Sequence, residues 1–122
     1  MTNKLFDVVI VIPGEPVAQE RHRDGKYGNK YDPSAGAKES FAVQCLAQWR
    51  PDGFPTDKNF EIDVSFYSAG KVKDDDNMYK LVTDALQGLY WKNDRQIKDH
   101  HVHVRDNSNS PRTVLMIRVL DE

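Results

Sequence analysis

The clearest pattern along the chain is an alternation of apolar and polar residues over positions 59–67. The stretch NFEIDVSFY places an apolar side chain at positions 60, 62, 64 and 66 and a polar one at 61, 63 and 65. A period of two is typical of a β-strand with one covered face. The stretch LFDVVIVI at 5–12 is nearly continuous in apolar character, and this predicts a buried strand.

Two further stretches repeat apolar residues with the period of an α-helix. The first predicts a helix over residues 34–49, with Ser34 available as its N-cap. Its apolar positions are Ala37, Phe41, Cys45 and Trp49. The second predicts a helix that begins at the acidic residues 74–76 and ends near Gly88. Its apolar stripe consists of Met78, Leu81, Val82, Ala85 and Leu89.

The remaining segments complete a single α+β domain. Residues 100–105 and 113–119 predict two strands joined by the turn-rich stretch DNSNSPR. Residues 13–33 show no period and predict a long loop, which in a compact domain is usually functional or disordered. The order is therefore β-α-β-α-β-β, and the length suits one domain that spans residues 1–122.

Composition narrows the class of protein more than its activity. The chain is 39% hydrophobic and 30% charged, which is usual for a globular protein, and no apolar run approaches the roughly 20 residues of a membrane helix. Cys45 is the only cysteine, so no internal disulfide forms, which suits a cytoplasmic protein. Its apolar neighbours predict a buried side chain rather than a reactive thiol. The net charge of −2 gives no global support for nucleic-acid binding.

Three consecutive aspartates in the stretch KDDDNMYK, at 73–80, are the most unusual local feature. One aspartate suffices to cap a helix and to interact with its dipole, so three exceed that role. If the backbone before the helix is extended through Asp76, Asp74 and Asp76 point the same way, and Lys80 and Asp84 then follow Asp76 on the polar face. Carboxylates in an open arrangement suit Mg²⁺, and a neighbouring lysine stabilises a phosphate or a leaving oxygen.

Other interpretations of the acidic cluster stand beside this one. An acidic helix start is usually a cap with solvated surface, and Asp76 with Lys80 is then an exposed pair worth about 0.3–0.5 kcal/mol. A calcium-binding loop is excluded, because the glycine of its sharp turn and its bidentate glutamate are missing. Asp94, in the stretch GLYWKNDRQI, supplies a further acid, and a chain that turns back after Gly88 could bring it near the helix, although the spacing alone does not place it near the helix start.

The combined motif DDDNMYKLVTDALQGLYWKNDRQI resembles the RusA family of Holliday junction resolvases. Those enzymes carry Asp-x-Asp-Asn, a lysine four residues after the second aspartate, then Asp-Ala-Leu and an Asp-Asp-x-Gln-Ile-like turn. The upstream stretches IPGEPVAQERHR and YDPSAGAKES also resemble the family's proline-rich segment and its lead into the first helix. The resemblance covers about residues 8–119. It departs from the family at Asn93, where an aspartate usually precedes the residue that matches Asp94.

The resemblance implies a RusA-like fold with a mixed sheet of about four strands and two helices. It implies a homodimer that cuts four-way DNA junctions by paired symmetric nicks in recombination and repair, with Mg²⁺ as the cofactor and Mn²⁺ as a substitute. By position, Asp74, Asp76 and Asp94 would be the metal ligands, and Lys80 would act with them as the catalytic lysine. Asn93 leaves open a non-catalytic dimer that binds branched DNA through a degenerate metal site. A small cation-binding interaction protein with no DNA role is a third alternative.

Basic residues near the acids are candidates for phosphate contacts. They comprise Arg21, Arg23, Lys26 and Lys30 in the long loop, and Lys71 and Lys73 beside the aspartates. His101 and His103 share one face of a predicted strand, but a structural zinc site needs four ligands, so surface or interface histidines are favoured. Tyr90 and Trp91 are expected in the core or at a dimer contact rather than stacked on a base.

Overall fold

The computed structural model describes residues 5–20, 23–24, 30–72 and 74–120 of the chain. Its helices are α1 (Ala35–Gln48) and α2 (Asp75–Leu86), and a short 3₁₀ helix (Asp94–Gln96) follows α2. Its strands are β1 (Val8–Pro13), β2 (Arg23–Asp24), β3 (Lys30–Tyr31), β4 (Asn59–Tyr67), β5 (Ile97–Arg105) and β6 (Arg112–Leu120). The α+β class and the predicted order of the long elements are confirmed.

One mixed sheet contains four of these strands in the order β1-β6-β4-β5. Strand β4 pairs in parallel with β5 and antiparallel with β6, and β6 pairs antiparallel with β1. Because two parallel strands cannot be joined by a tight turn, the chain crosses between β4 and β5 through α2 and the 3₁₀ helix. This crossover carries all four residues that the sequence assigns to catalysis.

The core lies between the sheet and the two helices. Helix α1 packs against β1 and α2, and α2 packs against β5. The apolar residues of β4 are almost completely buried there, as their alternation predicted, and they form one cluster with Phe41 of α1 and Leu81 of α2. In the part of the chain that the structure describes, no helix is long and apolar enough to cross a membrane.

The acidic side chains on the polar face of β4 pair with basic side chains of the two neighbouring strands. Glu61 is fully buried. Its carboxylate accepts hydrogen bonds from the guanidinium of Arg118, whose Nη2 is 2.7 Å away, and it lies 3.2 Å from Nε2 of His101. The carboxylate of Asp63 lies 3.1 Å from Nε2 of His103. The two histidines of β5 are thus partly exposed partners of carboxylates, as favoured over a zinc site.

Cys45, which the sequence assigned to the core, and the two aromatic residues expected in the core or at a dimer contact all lie in the core. Cys45, Tyr90 and Trp91 have no exposed surface. Burial raises the pKa of the Cys45 thiol to about 12, so the thiol stays protonated at neutral pH. The interpretation of Cys45 as a small buried hydrophobe is confirmed.

Three local details differ from the sequence-based expectations. Strand β1 is an edge strand rather than a buried one, and Val9 and Val11 are 54% and 42% exposed because they lie on the face away from the helices. The predicted loop over 13–33 contains the short antiparallel ribbon β2–β3. Ser34 occupies the N-cap position of α1 but its hydroxyl makes no cap hydrogen bond and accepts instead from the N–H of Glu20.

Candidate active site

Asp74 occupies the N-cap position of α2 without using its side chain as a cap. Its backbone carbonyl accepts the first hydrogen bond of the helix, from the N–H of Met78 at 3.0 Å. Its two carboxylate oxygens accept from Nδ2 of Asn77, at 3.0 and 2.9 Å. Since a capping side chain satisfies a backbone N–H of the first turn, capping does not account for the aspartate at this position.

Helix α2 begins at Asp75, so the assumption of an extended backbone through Asp76 is wrong. Both aspartates lie exposed in the first turn, where the helix dipole stabilises negative charge. Lys80 follows one turn later and is also exposed. At the next turn, Asp84 lies 3.9 Å from Nζ of Lys38 on α1. Asp84 thus contacts the neighbouring helix, and no ion pair with Lys80 is found among the described residues.

The loop that leads into α2 is held by residues from two other loops. Glu15 accepts a hydrogen bond from the hydroxyl of Ser68 at 2.9 Å. Asp106 accepts one from the N–H of Val72 at 2.8 Å. Lys71 lies exposed between these two fixed points. The course of the backbone just before the acidic cluster is therefore set by contacts outside α2.

The chain reverses direction directly after α2 and brings Asp94 back beside the helix. Gly88 has φ +87°, a left-handed conformation that glycine adopts without strain, and its N–H donates to the carbonyl of Trp91 at 2.7 Å. The side-chain carbonyl of Gln87 accepts from the N–H of Asp94 at 3.1 Å. These bonds tie the start of the 3₁₀ helix to the end of α2.

Asn93, the departure from the family motif, has a local structural use. Its side-chain oxygen accepts from the N–H of Arg95 at 2.9 Å, and Oε1 of Gln96 accepts from the N–H of Asn93 at 2.9 Å. This reciprocal arrangement is a capping box at the start of the 3₁₀ helix. The side chain of Asn93 is therefore occupied in the turn, whereas that of Asp94 turns toward α2 and Trp91.

Asp94 is half-buried and oriented by a buried tryptophan. The indole N–H of Trp91 donates to Oδ1 of Asp94 at 3.0 Å. Burial raises the pKa of the Asp94 carboxyl above its usual value; the Trp91 hydrogen bond lowers it, and the charge of Asp84 adds to the rise. A cation at the second carboxylate oxygen of Asp94, or a hydrogen-bond donor that also binds the substrate phosphate, would offset the cost of burying this carboxylate.

Lys80 and Asp94 meet at one open cavity of about 290 Å³. Its wall also contains Tyr79, Thr83, Ile97 and His100. The ring centroids of Tyr79 and His100 are 5.0 Å apart, with the ring planes tilted by 30°. Burial and the charge of Asp94 raise the pKa of Tyr79 to about 12, so its hydroxyl is protonated at neutral pH. Sequence patterns gave no signal for Tyr79 and His100, because they meet through the packing of α2 on β5.

The three carboxylates predicted to bind metal do not form a ready-made cage. Among the residues described, no three Asp, Glu, His or Cys side chains are placed to hold a metal ion, and Asp74 and Asp76 do not line the cavity of Asp94. The donor set nevertheless fits Mg²⁺, which usually takes one or two protein carboxylates and completes its shell with water and substrate phosphate oxygens. The assignment of these ligands stays a prediction.

The predicted phosphate contacts fall mostly where side chains are not described. Lys71 is exposed in the loop before α2. Arg23 and Lys30 lie in the β2–β3 ribbon, where only the backbone pairing is described. The other three, Arg21, Lys26 and Lys73, lie outside the described residues.

Comparison with known proteins supports the same family as the motif. A search of curated proteins found no match to this chain. The family model for the endodeoxyribonuclease RusA matches residues 13–118, which is most of the 122-residue chain and includes β4, α2 and the turn with Asp94. The chain therefore belongs to the RusA family of Holliday junction resolvases.

Proposed function

We propose that the protein is a metal-dependent endodeoxyribonuclease that resolves four-way DNA junctions by paired, symmetric nicks in recombination and repair. The observation that carries the proposal is the shared cavity of Lys80 and Asp94. Lys80 lies in the middle of α2 and Asp94 at the end of the crossover between β4 and β5, and an exposed acidic helix start lies one turn before Lys80. A cation, an acid and an anion-stabilising lysine are the groups that phosphodiester hydrolysis requires.

Each residue has a defined part in this proposal. The ammonium group of Lys80, exposed at the cavity, would stabilise the negative charge that develops on the phosphate in the transition state. Asp94, oriented by Trp91, would supply one fixed carboxylate for Mg²⁺, and Asp74 and Asp76 would supply others. The ion, when bound, would lower the pKa of a coordinated water to give the nucleophile. Lys71 would contact the DNA backbone without reading sequence.

A synthetic four-way junction tests the proposal directly. With Mg²⁺, the wild type is expected to cut two opposed strands, leaving 5′-phosphate and 3′-hydroxyl ends. Asp76→Asn is expected to abolish cutting while it retains junction binding. Asp75→Asn is the matched control, because the neighbouring aspartate is equally exposed and fills the variable position of the motif. A fully active Asp76→Asn, or equal losses in both variants, would contradict the assignment.

Lys80→Ala separates catalysis from binding. We expect the nicking rate to fall by far more than the affinity for the junction, because the lysine is proposed to act on charge that develops only in the transition state. Lys71→Ala is the comparison, since a residue that only contacts phosphate should mainly lower affinity and reduce its salt dependence. Equal losses of rate and affinity in Lys80→Ala would make it a binding residue instead.

A homodimer fits the substrate, because a symmetric dimer presents two sites to opposed strands of a junction that has two-fold symmetry. Sedimentation of the protein alone and of its junction complex tests this part. The alternative, a non-catalytic dimer with a degenerate site, is distinguished by the same junctions. Binding without any nick, in Mn²⁺ as well as Mg²⁺, would favour it. The capping role of Asn93 weakens that alternative, because it gives the asparagine a use that does not require a lost site.

A further inference from the structure

We propose that Tyr79 and His100 form a stacking site for one nucleobase beside the phosphate that is cut. The inference rests on the proposed function, since it takes Lys80 and Asp94 to mark the position of that phosphate. It adds a part of the substrate that the acidic residues do not contact. The ligand is a base of the DNA, held through its aromatic face.

The geometry of the pair suits a planar ligand. Tyr79 is half-buried on α2 and packs against the hydrophobic core, so its ring has a fixed position. His100 projects from β5 and is exposed, with its ring 5.0 Å from that of Tyr79. With a tilt of 30° the two rings already contact each other and leave no room for a base between them, so a base would stack on the accessible side of the pair, where His100 is exposed. Aromatic side chains that are firmly held and partly accessible are the usual platforms for unstacked bases.

The position of the pair connects it to the proposed chemistry. Both rings line the cavity that Lys80 and Asp94 also line. Because Lys80 and Tyr79 line the same cavity, a phosphate at the ammonium group would have a flanking nucleotide close to the tyrosine ring. The strands of a four-way junction change partners at the branch point, where stacking between neighbouring bases is interrupted. A base there is the part of the substrate that gains most from a new aromatic contact.

Stacking is the contact that the cavity offers to a base. The polar groups of its wall have other uses: Lys80 and Asp94 are assigned to the phosphate and the metal ion, and the hydroxyl of Thr83 donates to the carbonyl of Lys80 at 3.2 Å. Because stacking tolerates every base, the site would hold the flanking base without selecting its identity.

The test combines a variant of the protein with a change in the DNA. Four-way junctions are prepared with a single abasic nucleotide on either side of the phosphate that the wild type cuts. Affinity is measured by gel shift in EDTA, so that no cutting occurs, and nicking rates are measured separately with Mg²⁺. The proteins are the wild type, Tyr79→Ala, Tyr79→Phe, His100→Ala and His101→Ala.

The matched control is His101→Ala, because His101 neighbours His100 on the same strand but lies on the opposite face of the sheet, against Glu61. Tyr79→Phe keeps the ring and loses only the hydroxyl, so it should keep the sensitivity to the abasic nucleotide that stacking produces. Thermal unfolding of each variant shows whether the tyrosine change affects folding. If Tyr79→Ala does not fold, His100→Ala carries the same test from the other ring.

We expect the abasic nucleotide on one side of the cut to lower wild-type affinity about 5- to 100-fold. Tyr79→Ala and His100→Ala should bind the intact junction more weakly and be much less sensitive to the same abasic nucleotide. Equal sensitivity in the wild type and both variants, or an equal effect of His101→Ala, would overturn the stacking site while junction cutting still supports the proposed function. If the wild type cuts no junction, the abasic nucleotides are placed at the branch point instead; sensitivity that depends on Tyr79 there would keep a base-stacking site and refute the nuclease. Absence of junction binding would refute both.

Discussion

Replacing Trp91 by phenylalanine tests whether Trp91 orients Asp94 for catalysis. The substitution keeps an aromatic ring in a fully buried position but removes the indole N–H that donates to Oδ1 of Asp94 at 3.0 Å. Hydrogen bonds to charged acceptors contribute about 1.5–3 kcal/mol, and the half-buried state of Asp94 argues for the lower end. A loss of that size in the transition state lowers the nicking rate about tenfold.

Tyr90→Phe is the matched control, since Tyr90 is also fully buried and also loses one hydrogen bond. Its hydroxyl donates to the carbonyl of Trp49 at 2.6 Å, in the same aromatic cluster but away from Asp94. We expect this variant to lose about 1–2 kcal/mol of stability. For a domain of this size, that lowers the melting temperature by roughly 3–10 °C. Its nicking rate at 25 °C should stay unchanged.

The assay measures melting temperature and nicking rate of both variants on the same four-way junction. Trp91→Phe should lose stability because the smaller ring leaves buried space, and it should lose rate as well. If the two variants lost rate in proportion to stability, the effect would be global and the orienting role of Trp91 would be wrong. A Trp91→Phe protein with the wild-type rate would refute the role of the hydrogen bond directly.

Three further predictions follow from single contacts. Cys45 should react with a thiol reagent at pH 8 only after unfolding, because its pKa is about 12 and its side chain is buried; rapid labelling of the native protein would contradict this. Gln48→Ala should increase self-association in light scattering, since its amide pairs with both the N–H and the C=O of Val11 on the edge strand, whereas Gln44→Ala, which bonds only within α1, should not. Gly88→Ala should lower the melting temperature, because alanine at φ +87° costs about 1–2 kcal/mol of backbone strain although its methyl group meets no other atom.

The elements that were predicted well are those whose signal is local. Strand β4 follows from alternation alone, and its predicted and observed limits agree at 59–67. The start of α2 follows from an apolar stripe that begins just after the acids. Both patterns depend on which face of a single element meets the core, and the order of apolar and polar residues within that element shows which face it is.

The burial of β1 could not be obtained in the same way. Its apolar run is compatible with a strand covered on both faces, but coverage of the second face depends on what packs there. In the fold, Ile10 and Ile12 point to the helices, while Val9 and Val11 lie on the open face. The position of β1 at the sheet edge results from pairing with β6, which lies about a hundred residues away in sequence.

In the candidate site, too, the features set by one element were predictable and those set by the packing of two elements were not. The placement of Asp74, Asp76 and Lys80 at and after the start of one helix was predictable. The capping box of Asn93 and Gln96 was not predicted, although their spacing of three residues fits one. The meeting of Lys80 with Asp94 could not be predicted, because it depends on how the chain reverses after α2. The contact of Tyr79 with His100 likewise requires α2 to lie against β5. Tyr79 falls at a position of the family motif for which no residue type is specified, and His100 lies outside the motif.

Asp94 itself provides a last test, because a carboxyl whose pKa is raised in the folded state works against stability at neutral pH. Its burial favours the protonated form, so the stability contribution is fully present below the usual pKa of 3.8 and is lost as pH rises through the raised value. Asp94→Asn removes this loss and retains an oxygen that accepts from Trp91. In EDTA at neutral pH, the variant should therefore melt at a higher temperature than the wild type, and the difference should shrink toward pH 4.

Asp75→Asn should show no gain, because it removes a charge that the helix dipole stabilises. A lower melting temperature for Asp94→Asn at neutral pH would mean that the carboxylate is retained for folding, whereas a more stable and inactive variant would mean that the fold accepts a destabilising group for its chemistry.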